Sequence, residues 1–201
     1  MRIAICLICI YLGVSWDNYL FSEEVQVHLT PPVAKSIVYN NKYEFYVMRY
    51  VKPVVVDISG ASPASIESIA EPERTVIAYL AAQAQGSFEW HQSLLAGSLK
   101  KKLEAKLAND SNNKMNLANE WRSQYLNSRV ELTHRIIAGE NNIIRCRIVS
   151  EQNSIVKEEK DIAVARSKER YRSWEVIDLT NDMVFNNWYF DGNIKKVKKE
   201  R

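Results

Sequence analysis

Hydrophobic spacing changes period once along this chain, close to Asn127, and that change constrains the fold more than any other feature. Before it, apolar residues recur every three or four positions: Val76, Leu80 and Ala84, then Leu99, Leu103 and Leu107, then Ala118, Trp121 and Tyr125. Such spacing lines one face of a helix. After it they alternate, with Val130, Leu132, His134 and Ile136 set against Glu131, Thr133 and Arg135, and Ile144, Cys146 and Ile148 against Arg145 and Arg147. A period of two belongs to a half-buried strand, so His134 is expected on the apolar side with Leu132 and Ile136. Helices followed by an antiparallel meander predict an α+β chain, its helices packed on one face of the sheet and its other face meeting water.

Turn and cap residues place the boundaries. Pro72 stands where a first helical residue belongs, Glu73 suits the positive end of the helix dipole, and Gly86 stops the segment. Ser87 caps a second helix over 88–96, ended by Gly97. A polar loop is expected at 109–113 and a hairpin turn at 139–142. Turns at 152–154 and 180–182 separate strands over 162–165, 171–179 and 183–190. Upstream, Val25, Val27 and Leu29 alternate with Gln26 and His28 as a short strand, closed by Thr30, Pro31 and Pro32. Tyr43, Tyr46, Val47 and Tyr50 share one helical face, which predicts a helix to about Val51, stopped by Pro53; the aromatic, β-branched composition of the same stretch also fits a strand. Residues 59–68, with Gly60 and Pro63, are a linker or loop.

The chain starts with Met1 and Arg2 ahead of an unbroken apolar run over 3–14, and Trp16, Tyr19 and Phe21 follow. One positive charge before such a run matches an export signal, while the aromatic residues suit a helix anchored at a membrane interface. An uncleaved anchor over 1–21 is the favoured expectation, a cleaved signal the alternative, and a buried first element the bland one. Arg2 on the near side puts the remainder outside the cytoplasm. Cys6 and Cys9 lie within the apolar run, so Cys146 is the one cysteine of the folded part and is expected as a small core residue.

The formal net charge is +3, but residues 195–201 carry five positive charges and one negative, which leaves −1 for everything before them. A neutral body excludes a basic face for nucleic acid, and the 192–201 tail is a solvated end or a dock for anionic lipid. His28, His91 and His134 lack the spacing of metal ligands, and no phosphate loop or nucleophile elbow occurs, so neither a metal nor another cofactor is expected. A proton-transfer reading would pair His134 or His91 with Asp161, Asp178 or Glu175. Trp188, Tyr189 and Phe190 are three aromatics in a row that cannot all face inward from one strand, which makes them the candidate partner-binding surface.

The strings at 76–80, 86–88 and 94–95, with the curved antiparallel sheet ending at 174–179, resemble the nuclear-transport-factor-2-like cone fold. The whole layout, with one apolar segment, then 25–32, the aromatic stretch 43–50 and a cone-type domain, resembles the TraE-type inner-membrane subunits of type IV secretion and conjugation machines. That resemblance implies a signal anchor over 1–21, a juxtamembrane arm and linker over 22–70, a cone domain over 71–191 and a basic tail. It also implies a single-pass inner-membrane protein with its domain in the periplasm. Such a protein would be a non-enzymatic scaffold that binds other secretion subunits and copies of itself. The alternative is an exported small-molecule-binding or dehydratase-type protein that uses the cone pocket.

Overall fold

The computed structural model describes residues 27–39, 41–108, 113–170 and 173–179. Among them, alternating β-branched and aromatic residues build a six-stranded antiparallel sheet whose spatial order is its sequence order. The strands are β1 (Val33–Tyr39), β2 (Asn41–Asp57), β3 (Ser128–Ala138), β4 (Asn141–Ser150), β5 (Val156–Arg166) and β6 (Trp174–Val176). Between β2 and β3 come α1 (Glu73–Ala84), α2 (Phe88–Ser93), α3 (Gly97–Leu107) and α4 (Asn113–Tyr125). Helix α1 lies against β3, β5 and β6 and is flanked by α2 and α4. The chain is therefore α+β, as the change of period predicts.

Paired residues of neighbouring strands share a face, so the register defines the core side. Val130, Leu132, Ile144, Cys146, Ile148, Ile162 and Val164 meet Val76, Ile77 and Leu80 of α1 in one buried cluster. Each fully buried aliphatic side chain there stabilises the fold by about 1.5–3 kcal/mol. Cys146 is part of this core, and burial pushes its thiol up to about 12, so it packs as an apolar residue. The opposite face is not uniformly wet, because Asn142, Ile143 and Ile144 are consecutive and all buried. Both sides of β4 are covered at that end.

Two irregularities shape β2 and β3. Leu132 pairs with Cys146 and His134 with Arg145, so Thr133 is one extra residue relative to β4. Against β2, Arg49 pairs with His134 and Val54 with Leu132, which leaves 50–53 facing Thr133 alone. Pro53, with no N–H to give a ladder, falls in that gap. The arm before β1 runs along the β1 side of β2 at the same level: Thr30 N donates to Arg49 O at 2.8 Å, and Val51 N donates to His28 O at 2.9 Å.

Several expectations need correction. The stretch 43–51 is not a helix but part of the 17-residue β2, because pairing with β1 and β3 buries more than an isolated helix could. Strands β1 and β2 belong to the same sheet as β3–β6, so the α+β unit reaches back before residue 71. Of the 25–29 strand, the described part makes a single bridge, Leu29 to Tyr50. Gly97 opens α3 instead of ending α2, which stops at Ser93. His134 is on the face away from the core, since the extra Thr133 inverts the alternation. The strand over 183–190 and the turn at 180–182 lie outside the described residues.

Two glycines take positive φ, Gly86 (+64°) after α1 and Gly139 (+58°) in the β3–β4 turn. A Cβ at Gly86 would sit 2.9 Å from the Ala118 carbonyl oxygen of α4, whereas one at Gly139 would meet nothing within 4 Å. Gly139→Ala is therefore expected to cost only the left-handed backbone penalty, about 1 kcal/mol. Gly86→Ala should cost more than about 2 kcal/mol because α1 and α4 must also separate. Urea unfolding of the two variants checks this order, and equal losses would contradict it.

Candidate functional site

Glu73, in the first turn of α1, is completely buried and is the deepest charge among the described residues. Arg135 of β3 answers it from the sheet. Its Nε donates to Glu73 Oε1 at 2.8 Å and its second nitrogen bonds both carboxylate oxygens. Tyr50, from the irregular part of β2, donates its hydroxyl to the same Oε1 at 2.5 Å. Burial and the Glu73 charge raise the Tyr50 pKa, so the phenol stays protonated and donates. Burial works against the Arg135 charge, but the bonds and charge of Glu73 outweigh it and hold its pKa raised. An interior that could have held a polar pocket is thus occupied by three groups that satisfy one another.

His91 of α2 is also buried, between the rings of Tyr79 (centroids 4.7 Å apart) and Trp121 (4.3 Å). Trp121 in turn stacks on Phe88. Gln83 Nε2, which can only donate, is 3.3 Å from His91 Nε2, so the ring proton is on Nδ1. That Nδ1 and Gln83 Oε1 have no hydrogen-bond partner among the described residues. Burial lowers the His91 pKa to about 4. No carboxylate bonds this imidazole, so the structure does not assemble a His91 base with Asp161, Asp178 or Glu175.

His134 lines a cleft of about 410 Å³ where β2 bends away from β3. Its pKa is lowered by burial first, then by Arg145, Arg49 and Arg147, with Asp161 opposing. Asp161 is the nearest of the expected carboxylates, but it is held by Arg145 through bonds of 2.9 and 3.0 Å. Glu175 bonds Ser167 Oγ at 2.5 Å and pairs with Arg170, and Asp178 pairs with Lys102. Among the described residues none of the three is shown hydrogen-bonded to a histidine. A second groove of about 520 Å³, bordered by Ala64, Glu67, Arg74 and Trp90, runs over the helix side.

Trp188, Tyr189 and Phe190 lie outside the described residues, as does the 1–21 leader. Among the described residues no cluster of His, Cys, Asp and Glu could hold a metal, and no helix is long and apolar enough to cross a membrane. Sequence reading missed Glu73, Arg135 and Tyr50 as a unit, since they are far apart in the chain and only the Thr133 bulge brings Arg135 inward. No protein-family model matches the chain, and no curated protein or solved structure is significantly similar to it.

Removing one partner of a buried ion pair leaves the other uncompensated, at about 3–5 kcal/mol, whereas an apolar replacement of both costs far less. Glu73→Gln should lower unfolding stability by that amount, and Glu73→Leu combined with Arg135→Met should recover most of it. A double mutant no more stable than Glu73→Gln would refute this reading of the pair. His91 gives a pH signature of defined sign. Its folded pKa is below the unfolded value of about 6.5, so unfolding takes up a proton as pH falls through that window. Stability is full above about 6.5 and should fall by about 3 kcal/mol on going to pH 4. His91→Phe should flatten that slope in pH-dependent unfolding curves.

Proposed function

We propose that this chain is a non-enzymatic, membrane-anchored scaffold of a type IV secretion or conjugative transfer machine. Its 1–21 segment would hold it in the inner membrane as a single-pass protein, with a nuclear-transport-factor-2-like cone domain in the periplasm. It would act by binding other subunits and copies of itself, and Trp188, Tyr189 and Phe190 are the proposed contact residues.

One observation carries the reading. The space between α1 and the sheet, which a carrier or enzyme of this architecture would keep open for its ligand, is filled by core side chains and by Glu73, Arg135 and Tyr50. Exposed Val33 on β1 adds an apolar residue at the sheet edge. The hairpin there extends beyond the rest, since Asn41 to Phe45 pair with β1 alone. The cleft beside His134 favours the second reading, an exported small-molecule-binding protein.

Fractionation and alkaline washing of membranes from cells expressing the full chain test the anchor. The chain should stay in the membrane pellet, and release of an intact soluble form would overturn it. Crosslinked complexes should contain secretion subunits and more than one copy of this chain; complexes lacking any such subunit would sink the scaffold.

A further inference from the structure

The cleft at the β2–β3 irregularity differs in chemistry from the filled interior. On the outer face of the sheet, charges alternate across strands. Glu131 is opposite Arg147 and Arg147 opposite Glu159, while His134 is opposite Arg145 and Arg145 opposite Asp161. These charges compensate one another: Arg147 Nε bonds Glu159 at 2.6 Å, Arg145 bonds Asp161, and Arg129 bonds Glu131 at 3.1 Å. Arg49, paired in register with His134, is left over. Its backbone N–H donates to Thr30 Oγ1 at 3.0 Å, but its guanidinium makes no hydrogen bond or ion pair among the described residues.

The rest of the cleft wall supplies the other half of a recognition site. Exposed Val51 and Pro53 give it an apolar side. Its volume of about 410 Å³ is in the range of small-molecule sites. Thr133 donates its hydroxyl proton to Arg145 O at 3.2 Å, so it accepts from His134 Nδ1 at 3.1 Å. That fixes the tautomer and leaves Nε2 without a proton in the neutral ring. One unpaired cation suits a single negative charge, and Glu131 in the same wall disfavours a dianion.

We propose that this cleft binds a small apolar monocarboxylic acid, its carboxylate held by the Arg49 guanidinium and its apolar body set against Val51 and Pro53. His134 becomes the second donor to that carboxylate by taking a proton on Nε2. Bound anion favours the imidazolium that Arg49, Arg145 and Arg147 disfavour and Asp161 supports, with Glu131 and Glu159 also on this face. The site is on the outer face of the sheet and is independent of the scaffold reading.

Titration of the purified full chain with phenylacetate, followed by calorimetry and by the His134 imidazole signals in NMR, tests the proposal. Binding should saturate, tighten between pH 8 and pH 6, and weaken about tenfold or more in Arg49→Gln, an exposed position whose folding is checked by circular dichroism. His134→Gln should lose the pH dependence while keeping part of the affinity. Phenylacetamide and inorganic phosphate should each bind the unaltered chain at least about tenfold more weakly than phenylacetate. Unsaturable binding, equal binding of the neutral amide or of phosphate, or binding indifferent to Arg49→Gln would each overturn it. The comparison of the three probes needs no variant and stands even if one fails to fold.

Discussion

A carboxylate with no exposed surface has to be compensated on every side, and Glu73 imposes that demand on three distant parts of the chain. Taking an ionised group out of water costs several kcal/mol, which only well-placed donors offset. Arg135 supplies the charge and Tyr50 the third hydrogen bond, so α1, β2 and β3 can meet in only one relative position. Sliding β3 by one residue would turn Arg135 to the outer face and leave Glu73 buried alone. The apolar core around it would tolerate such a slip far better than the ion pair would. The pair therefore specifies the register, whatever its net contribution to stability.

One residue makes that position reachable. Strict alternation from Val130 and Leu132 would aim His134 at α1 and Arg135 at solvent. The extra Thr133 reverses both. The same bulge therefore closes the interior with an ion pair and places an imidazole beside the cleft on the opposite face. On β2, alternation from Met48 and Arg49 turns Tyr50 into the core, and the strand leaves the ladder from that residue to Pro53. Residues 28–30 bond the β2 backbone on its other side at the same level. Core chemistry and outer cleft are two results of a single interruption in pairing.

Much of the architecture was legible in local pattern, and the parts that were not have identifiable causes. The three apolar stripes before Asn127 became α1, α3 and α4, of which α1 is buried, α3 half-covers Leu99 and Leu103, and α4 seats Tyr125; the alternating runs after it became β3 and β4. Strand β2 was ambiguous because Tyr43, Tyr46, Val47 and Tyr50 satisfy a helical period; its 17 residues are decided by partners far away in the chain. The bulge was invisible, since Leu132, His134 and Ile136 alternate perfectly in sequence while the structure does not. A basic residue, Arg135, set among apolar neighbours was the available signal of an inward charge, and a lone acid at a helix start, Glu73, was its counterpart. Neither means anything until topology brings the two together.

The two faces of the sheet thus divide the chemistry. On the helix side the buried charge of Glu73 is matched by Arg135 and Tyr50, while His91 Nδ1 and Gln83 Oε1 have no partner among the described residues. On the outer side the charges are matched pairwise along the strands, and the match fails at Arg49, where β2 departs from β3. The residue opposite Arg49 in the ladder is His134, not an acid. The unpaired cation at the cleft stands where the pairing of β2 with β3 is interrupted, beside the same Thr133 bulge that turns Arg135 toward Glu73.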